Sequence, residues 1–368
     1  MKDSEKKVLF DRTLELARKG WGSTHPNPMV GALIVENGMV VAEGCHHQAG
    51  FPHAEVEAIR SLGRLPKEGA AMFVSLEPCS TSGRTPPCVQ SILNAGIKHV
   101  YIGATDPNPS HAGRGIEILR QSGVHTEMAP EEFQSRATRI NFIFNHYITV
   151  QKPLIALKLA ESSNGMIAEH SGKPSRVTEE KARLNMMQWR RLFPAICVGS
   201  GTVLSDNPSL TARLPEGTFC PIRLVLDSRL STFDYTNSNR AIYSDEFSSK
   251  TKVITTSVGL NNKHAVDRAK KLGITLIEGT KDENEKIKLS ELPRILKELR
   301  ITALYCEGGA KIAQSLLADG IVRYLFRYQS PKKFDGPDAL AGPKLNNLKI
   351  KDSIIQKLGE DILTHGFL

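Results

Sequence analysis

The stretch Ala71-Met72-Phe73-Val74-Ser75-Leu76-Glu77-Pro78-Cys79, followed after the eight residues 80–87 by Cys88, decides the fold. The apolar run Ala71 to Leu76 has the length of a buried strand, and Pro78 marks its end. From about Pro87 to Asn94 the apolar period becomes helical, and Gly96 closes the helix. His99 to Ala104 reads as the next strand. Upstream, Val30 to Val35 and Met39 to Ala42 flank Asn37-Gly38, a hairpin signal because both residues tolerate positive φ. A helix is expected from about His53 to Leu62, and an earlier one carries Leu9, Leu14, Leu16 and Ala17 before Gly20 ends it. Downstream come a helix near Ile116 to Gln121, a strand Val124 to Met128 and one long helical stretch over about Pro130 to His146. Strand and helix alternate throughout, which argues for a layered α/β domain over residues 1–150.

Lys152-Pro153 opens a second pass of the same kind over residues 151–368. Expected strands are Leu154 to Leu159, Ala195 to Val198, Ile222 to Asp227 and Ala303 to Cys306. Helices are expected around Glu179 to Leu192 and Ala310 to Leu317, and polar Thr232 to Asn239 reads as a loop. This half also reads as α/β. It lacks a Gly-x-Gly-x-x-Gly turn, so it carries no Rossmann fingerprint. Glu307-Gly308-Gly309 follows a strand and opens a helix, where a phosphate site and a plain turn are about equally good readings.

The chain has 368 residues, 40% hydrophobic and 24% charged, the composition of a globular protein with room for two domains. No apolar run approaches the roughly 18 residues of a membrane span. The charged start Met1-Lys2-Asp3-Ser4-Glu5-Lys6-Lys7 leads into no apolar signal segment, so a cytoplasmic protein is expected. Six scattered cysteines do not make a disulfide framework, and Cys45, Cys197, Cys220 and Cys306 read as packed thiols. The net charge of +9 points to an anionic partner. Because the positive charges are spread rather than blocked, a small phosphorylated molecule is favoured over nucleic acid.

His53-Ala54-Glu55, Pro78-Cys79 and Cys88 form the chemical core of the reading. A catalytic zinc takes three protein ligands and keeps a fourth position open. One imidazole and two thiolates suit it, and zinc lowers the pKa of a bound water toward about 7. Glu55, two residues from the histidine, can reach that water without ligating and shuttle its proton to a ring nitrogen and a leaving amine. His-x-Glu followed by Pro-Cys is the signature of zinc deaminases. An accidental pair of buried cysteines beside a surface histidine is the bland alternative. The ordered co-occurrence of all four residues, each in a strand–helix context, weighs against it.

Between the cysteines stand Ser80-Thr81-Ser82-Gly83-Arg84-Thr85-Pro86-Pro87, longer than the common two-residue spacing. With His25-Pro26-Asn27-Pro28, Asp106-Pro107-Asn108-Pro109 and Ala112-Gly113-Arg114-Gly115 in order, this half closely resembles the bifunctional deaminase–reductases of riboflavin biosynthesis. The resemblance implies a cytidine-deaminase-like α/β/α domain acting on 2,5-diamino-6-ribosylamino-4(3H)-pyrimidinone 5′-phosphate. It places Asn27 and the loop containing Arg84 on the substrate. One departure is Thr81, where the family usually has histidine.

The second half resembles the family's reductase domain, which has a dihydrofolate-reductase-like fold and uses NADPH to reduce the ribosyl group to ribityl. The matching stretches are Lys158-Leu159-Ala160, Gly199 to Arg213, Pro221 to Ser228 and Glu307-Gly308-Gly309. By that match Ala160, Arg176, Thr202, Asp206, Ser228, Gly308 and Gly309 hold the cofactor. Arg190, Leu210, Arg213 and Glu307 hold the substrate, the arginines being suited to its phosphate. The resemblance also implies a homo-oligomer. Departures here are Asn164 in place of an aspartate, Pro174-Ser175-Arg176 in place of a Ser-x-Trp segment, and the stretch Tyr324 to Pro331. A deaminase with a degenerate second domain is therefore the competing reading, and NADPH consumption separates the two. A nucleic-acid-editing deaminase is disfavoured by the long cysteine spacing and the absence of an aromatic, basic strand-binding stripe.

Overall fold

The computed structural model describes residues 1–81, 86–109, 111–170, 173, 175–234, 240–345 and 348–368. The chain divides into two compact units, Met1–Lys152 and Pro153–Leu368.

In the first unit helix α1 (Asp3–Arg18) precedes the hairpin β1 (Gly31–Glu36) and β2 (Met39–Cys45). Asn37 and Gly38 adopt φ 49° and 77° at its turn, as the dipeptide requires. Then follow α2 (Ala54–Leu62), β3 (Ala71–Val74), α3 (Cys88–Asn94), β4 (His99–Ile102), α4 (Arg114–Gln121) and β5 (His125–Met128). The strands form one sheet in the order β2-β1-β3-β4-β5, with β3, β4 and β5 parallel. Phe10 on α1 meets Phe73 edge-on at 5.1 Å, and Phe73 stacks on Tyr101 at 4.4 Å, filling the core. Helix α2 lies so close to β2 that a Cβ at Gly44 would come within 2.2 Å of the Ala54 carbonyl oxygen. That approach fixes the start of α2, and with it His53 and Glu55.

The helical stretch of 130–146 is two helices, α5 (Glu131–Ile140) and α6 (Phe142–Val150), parted at Asn141. Its side chain accepts from Met29 N at 2.8 Å and donates to Met29 O at 2.9 Å. A buried asparagine that satisfies another segment's backbone does more for this domain than an uninterrupted helix.

In the second unit come β6 (Leu154–Glu161), β7 (Met166–Ala168), α7 (Glu180–Leu192), β8 (Ala195–Gly199), α8 (Ser200–Asp206), and the short hairpin β9 (Ala212–Leu214) and β10 (Gly217–Phe219). They lead to β11 (Ile222–Leu226), α9 (Ala241–Ser244), β12 (Thr251–Thr255), α10 (Ser257–Leu260), α11 (Lys263–Lys271), β13 (Thr275–Glu278) and α12 (Leu292–Glu298). The unit ends with β14 (Ala303–Cys306), α13 (Ala310–Ala318), β15 (Tyr324–Gln329), β16 (Leu340–Ala341), β17 (Lys351–Leu358) and β18 (Asp361–Phe367). Nine strands make one sheet in the order β13-β12-β11-β8-β14-β6-β15-β18-β17, parallel as far as β15 and antiparallel beyond. Its central strands β8 and β14 are buried on both faces, as continuous apolar runs in a parallel sheet should be. The loop expected over Thr232 to Asn239 begins with a short 3-10 turn, Ser231–Phe233, and 235–239 lie outside the described residues.

Candidate active sites

Three elements bring the first site together. His53 is the residue before α2, Cys79 follows β3, and Cys88 is the first residue of α3. His53 Nδ1 lies 3.2 Å from Cys88 Sγ and 3.5 Å from Cys79 Sγ. The ligand atoms of all three lie within 4.8 Å of one another, and the Cys88 N–H points at Cys79 Sγ from 3.3 Å. The Cys88 thiol donates to Cys79, which together with His53 pulls Cys79 to about 4, while that same bond pushes Cys88 up. Two sulfurs sharing one proton beside an imidazole are a donor set that a zinc ion fits in place of that proton.

Glu55, in the first turn of α2, is 3% exposed. Burial, reinforced by the negative charge on Cys79, pushes its carboxyl up to about 7. His53, Glu55, Cys79, Asn27 and Thr81 line one cavity of about 490 Å³ with His46, Asp106, Asn108, His111, Phe144 and other residues. The last five were not singled out from the sequence. Asp106 and Asn108 belong to a motif noted there, which was the available signal; His46, His111 and Phe144 had none. His46 donates through Nδ1 to the Pro52 carbonyl at 3.0 Å, so its Nε2 accepts from Asn27 Nδ2 at 3.2 Å and fixes that side chain. Arg84 lies outside the described residues.

Glu77 frames the site without entering the chemistry. Its buried carboxylate accepts from the backbone N–H groups of Asp106, Gly113, Gly115 and Ile116 at 3.1, 3.0, 2.9 and 3.3 Å. It thereby holds the loop before α4 against the Pro78-Cys79 segment.

In the second unit Arg190 on α7 and Glu307 after β14 form a two-pronged pair, Nε to Oε1 at 2.6 Å and Nη2 to Oε2 at 2.9 Å. Lys158 on β6 stands 3.9 Å from Glu307 Oε2. Burial favours the neutral form of Glu307, but Arg190 and Lys158 outweigh it and hold the carboxyl at about 2. Burial draws Lys158 below its ordinary value against the pull of Glu307. The group sits at the carboxyl ends of parallel strands, where open α/β sheets bind ligands. Lys158 lies in one of the matching stretches, where nothing local in the sequence marks its role.

Arg190 also donates to Thr211 O at 3.1 Å, which ties in the turn containing Leu210, itself buried at φ 52°. Arg213 donates to Ser209 Oγ and Thr211 Oγ1 at 2.7 and 2.9 Å. The Ser228 hydroxyl accepts from Ile287 N at 3.0 Å, and Asp206 accepts from Ser205 at 2.6 Å. A Cβ at Gly308 would meet Ile312 at 2.8 Å, whereas Gly309, before α13, faces open space. Thr202 and Ala160 are half-buried, on α8 and β6, and Arg176 is exposed. Asn164 donates through Nδ2 to Phe334 O and Asp335 Oδ1 at 2.9 and 3.2 Å and accepts from Ser162 Oγ at 2.7 Å. An aspartate could not donate there, so the asparagine at this departure suits the local turn. Pro174 lies outside the described residues.

Fold and site together define a zinc deaminase joined to a second α/β domain. Residues 3–104 match the model of the cytidine and deoxycytidylate deaminase zinc-binding region, and residues 153–364 match that of the RibD C-terminal domain. Along the whole chain, the riboflavin biosynthesis protein RibD of Bacillus amyloliquefaciens is 37% identical over 96% of this chain and 94% of its own length. The Escherichia coli protein of that name is 34% identical over 96% and 97%. The solved RibD of Acinetobacter baumannii, at 27% identity, covers 100% of this chain and 99% of its own with a TM-score of 0.79. A Thermotoga maritima structure described as a diaminohydroxyphosphoribosylaminopyrimidine deaminase/5-amino-6-(5-phosphoribosylamino)uracil reductase scores 0.80 at 29% identity, covering 99% and 98%. The chain belongs to the RibD family of bifunctional riboflavin biosynthesis enzymes, with a deaminase and a reductase domain. A deaminase with a degenerate second domain is not favoured, because the match to the reductase-side domain runs from 153 to 364. No helix among the described residues is long and apolar enough to cross a membrane.

Proposed function

We propose that residues 1–150 deaminate a diaminohydroxyphosphoribosylaminopyrimidine and that residues 151–368 reduce the ribosyl group of the product with NADPH. The observation that carries the first half is the meeting of His53, Cys79 and Cys88 beside buried Glu55 in one cavity. His53, Cys79 and Cys88 hold the zinc ion, which when bound lowers the pKa of water and makes it a nucleophile near neutral pH. Glu55 takes one proton from the attacking water to the ring nitrogen, then carries the remaining hydroxyl proton to the departing amine as the carbonyl forms. Water enters, ammonia leaves, and a ring carbonyl replaces the exocyclic amino group. Asn27, held by His46, orients the ring.

In the second half NADPH supplies a hydride to the sugar carbon. Lys158 and Arg190 keep Glu307 ionised, and half-buried Lys158, 3.9 Å from that carboxylate, is placed to give a proton to the opening sugar. Arg190, Leu210, Arg213 and Glu307 form the substrate side. Ala160, Arg176, Thr202, Asp206, Ser228, Gly308 and Gly309 form the cofactor side, where Gly309 leaves the start of α13 open to a phosphate. The Ser228 hydroxyl, accepting from Ile287 N, keeps its own O–H to donate. None of the six cysteines is in a disulfide, which suits a cytoplasmic protein.

The test is one assay of purified protein with the phosphorylated pyrimidine, following ammonia release and NADPH oxidation together. Both signals support the proposal. Ammonia alone refutes the second half, and no ammonia refutes the first.

A further inference from the structure

Arg223 on β11 is wholly buried, and every N–H of its guanidinium is engaged. Nε donates to Thr251 Oγ1 at 2.9 Å, and Nη1 and Nη2 donate to the two oxygens of Asp245 at 2.6 and 2.8 Å. Nη2 also donates to the Ile242 carbonyl at 3.0 Å. These partners brace one another, since Thr251 Oγ1 donates to the same carbonyl at 2.8 Å. Asp245 answers the buried charge. The last Nη1 proton leaves this framework and goes to the carbonyl oxygen of Ser209 at 2.8 Å.

Ser209 begins a turn held against its own backbone preference. Leu210, buried at φ 52°, is in a left-handed conformation that leucine keeps only where its surroundings impose it. The carbonyls on either side of it are each held by an arginine, Ser209 O by Arg223 and Thr211 O by Arg190 at 3.1 Å. Asn207 Oδ1 accepts from Ala241 N at 2.8 Å and ties the start of the turn to α9. Across the turn the hydroxyl oxygens of Ser209 and Thr211 stand 3.1 Å apart, and both accept from Arg213 Nη1, at 2.7 and 2.9 Å. Among the described residues only Nη1 of this exposed guanidinium is so engaged. That leaves the edge formed by Nε and Nη2, which can grip a phosphate through two parallel bonds.

We propose that Arg223 is a positioning residue of the reductase site: through the Ser209 carbonyl it fixes the turn that holds Arg213, and so the guanidinium edge that takes the substrate's phosphate. This role rests on the substrate reading of Arg213 above. A phosphate contact made equally in ground and transition states changes the substrate's KM and leaves kcat alone. Damage to the fold alone would instead lower the active fraction, so that apparent kcat falls and neither KM moves.

The experiment follows NADPH oxidation with the deaminated ribosyl phosphate substrate added directly, for wild type, Arg223→Met, Arg213→Ala and the double variant. Arg223→Met is expected to raise the KM for that substrate roughly tenfold or more, with kcat within about threefold and the KM for NADPH within about twofold. In the Arg213→Ala background the same change should raise it by no more than about twofold, because the positioned group is gone. Arg223→Lys keeps a counter-charge for Asp245 but not the five-donor fork, and should show the same split; it carries the test if the methionine variant does not fold. An unchanged substrate KM, a fall in kcat alone, or a parallel rise in both KM values overturns the inference. So does an effect of Arg223→Met that is undiminished without Arg213. If Arg213→Ala itself leaves the substrate KM unmoved, or wild type oxidises no NADPH, the substrate reading fails and the inference with it. A raised KM in Arg213→Ala with normal Arg223 variants overturns the inference alone.

Discussion

Glu77 accepts the N–H of Gly115 at 2.9 Å, and a Cβ on that glycine would lie 2.2 Å from the carbonyl oxygen of Pro78. The start of α4 is therefore pressed against the segment that delivers Cys79, with no atom to spare between them. A carboxylate two residues before a candidate metal-ligating cysteine serves here as a backbone clamp. Four N–H groups at a loop and helix start converge on it, where the positive end of the helix dipole also favours its charge.

Glu77→Ala should orphan those four donors and cost about 3 kcal/mol or more of stability in the first unit. Zinc content and ammonia release should fall together while NADPH oxidation persists. Gly115→Ala should act in the same direction, because the obstructing atom is backbone and cannot swing aside. Thermal unfolding with metal analysis checks both; a Glu77→Ala protein with normal zinc content and midpoint would exclude the clamp.

Glu55→Gln should retain zinc and lose deamination by at least about a hundredfold, since the amide cannot accept the water's proton. Cys88→Ser should instead lower the zinc-to-protein ratio, replacing a thiolate by a weak ligand. Metal analysis of the two variants separates the roles, and a Cys88→Ser protein that keeps its full zinc complement removes that residue from the ligand set.

Lys158→Met should abolish most NADPH oxidation, by roughly a hundredfold or more, while ammonia release stays within about twofold. The Arg190–Glu307 pair survives that change, so the protein should remain folded. Glu307→Gln is expected to be harsher, because it leaves Arg190 and Lys158 buried without a counter-charge, at a cost of about 3–5 kcal/mol. Comparing the two by denaturant midpoint and by both assays tests whether Lys158 serves the reaction or only the packing.

His365 supplies a pH dependence. Its ring is buried, stacks on Phe326 at 5.3 Å, and meets the Tyr324 hydroxyl through Nδ1 at 2.8 Å, while Nε2 has no partner among the described residues. Burial holds its pKa down at about 4, against roughly 6.5 in an unfolded chain. Below 6.5 the unfolded chain gains a proton that the folded one refuses. Stability is therefore full above about pH 6.5 and is lost as pH falls toward 4, by up to about 2–3 kcal/mol from this group. Urea midpoints at pH 5 and pH 7.5 should differ less in His365→Phe than in wild type; equal differences would show that the ring is not the cause.

What the sequence by itself determined were the local and covalent facts. Alternating apolar runs placed the strands of both units, Asn37-Gly38 set a hairpin, and His53, Glu55, Cys79 and Cys88 named a metal chemistry, because residue type and spacing carry that information directly. The tertiary structure decided what depends on distant partners. Asn141 parts a helix for the sake of Met29, more than a hundred residues away in sequence, and no local propensity records that exchange. Glu77 became a clamp, Lys158 a partner of Glu307 and Asn164 a turn donor only when the chain brought their partners within hydrogen-bond or ion-pair distance. Burial, which raises Glu55 and lowers His365, is likewise a property of the assembled core and not of any stretch of sequence.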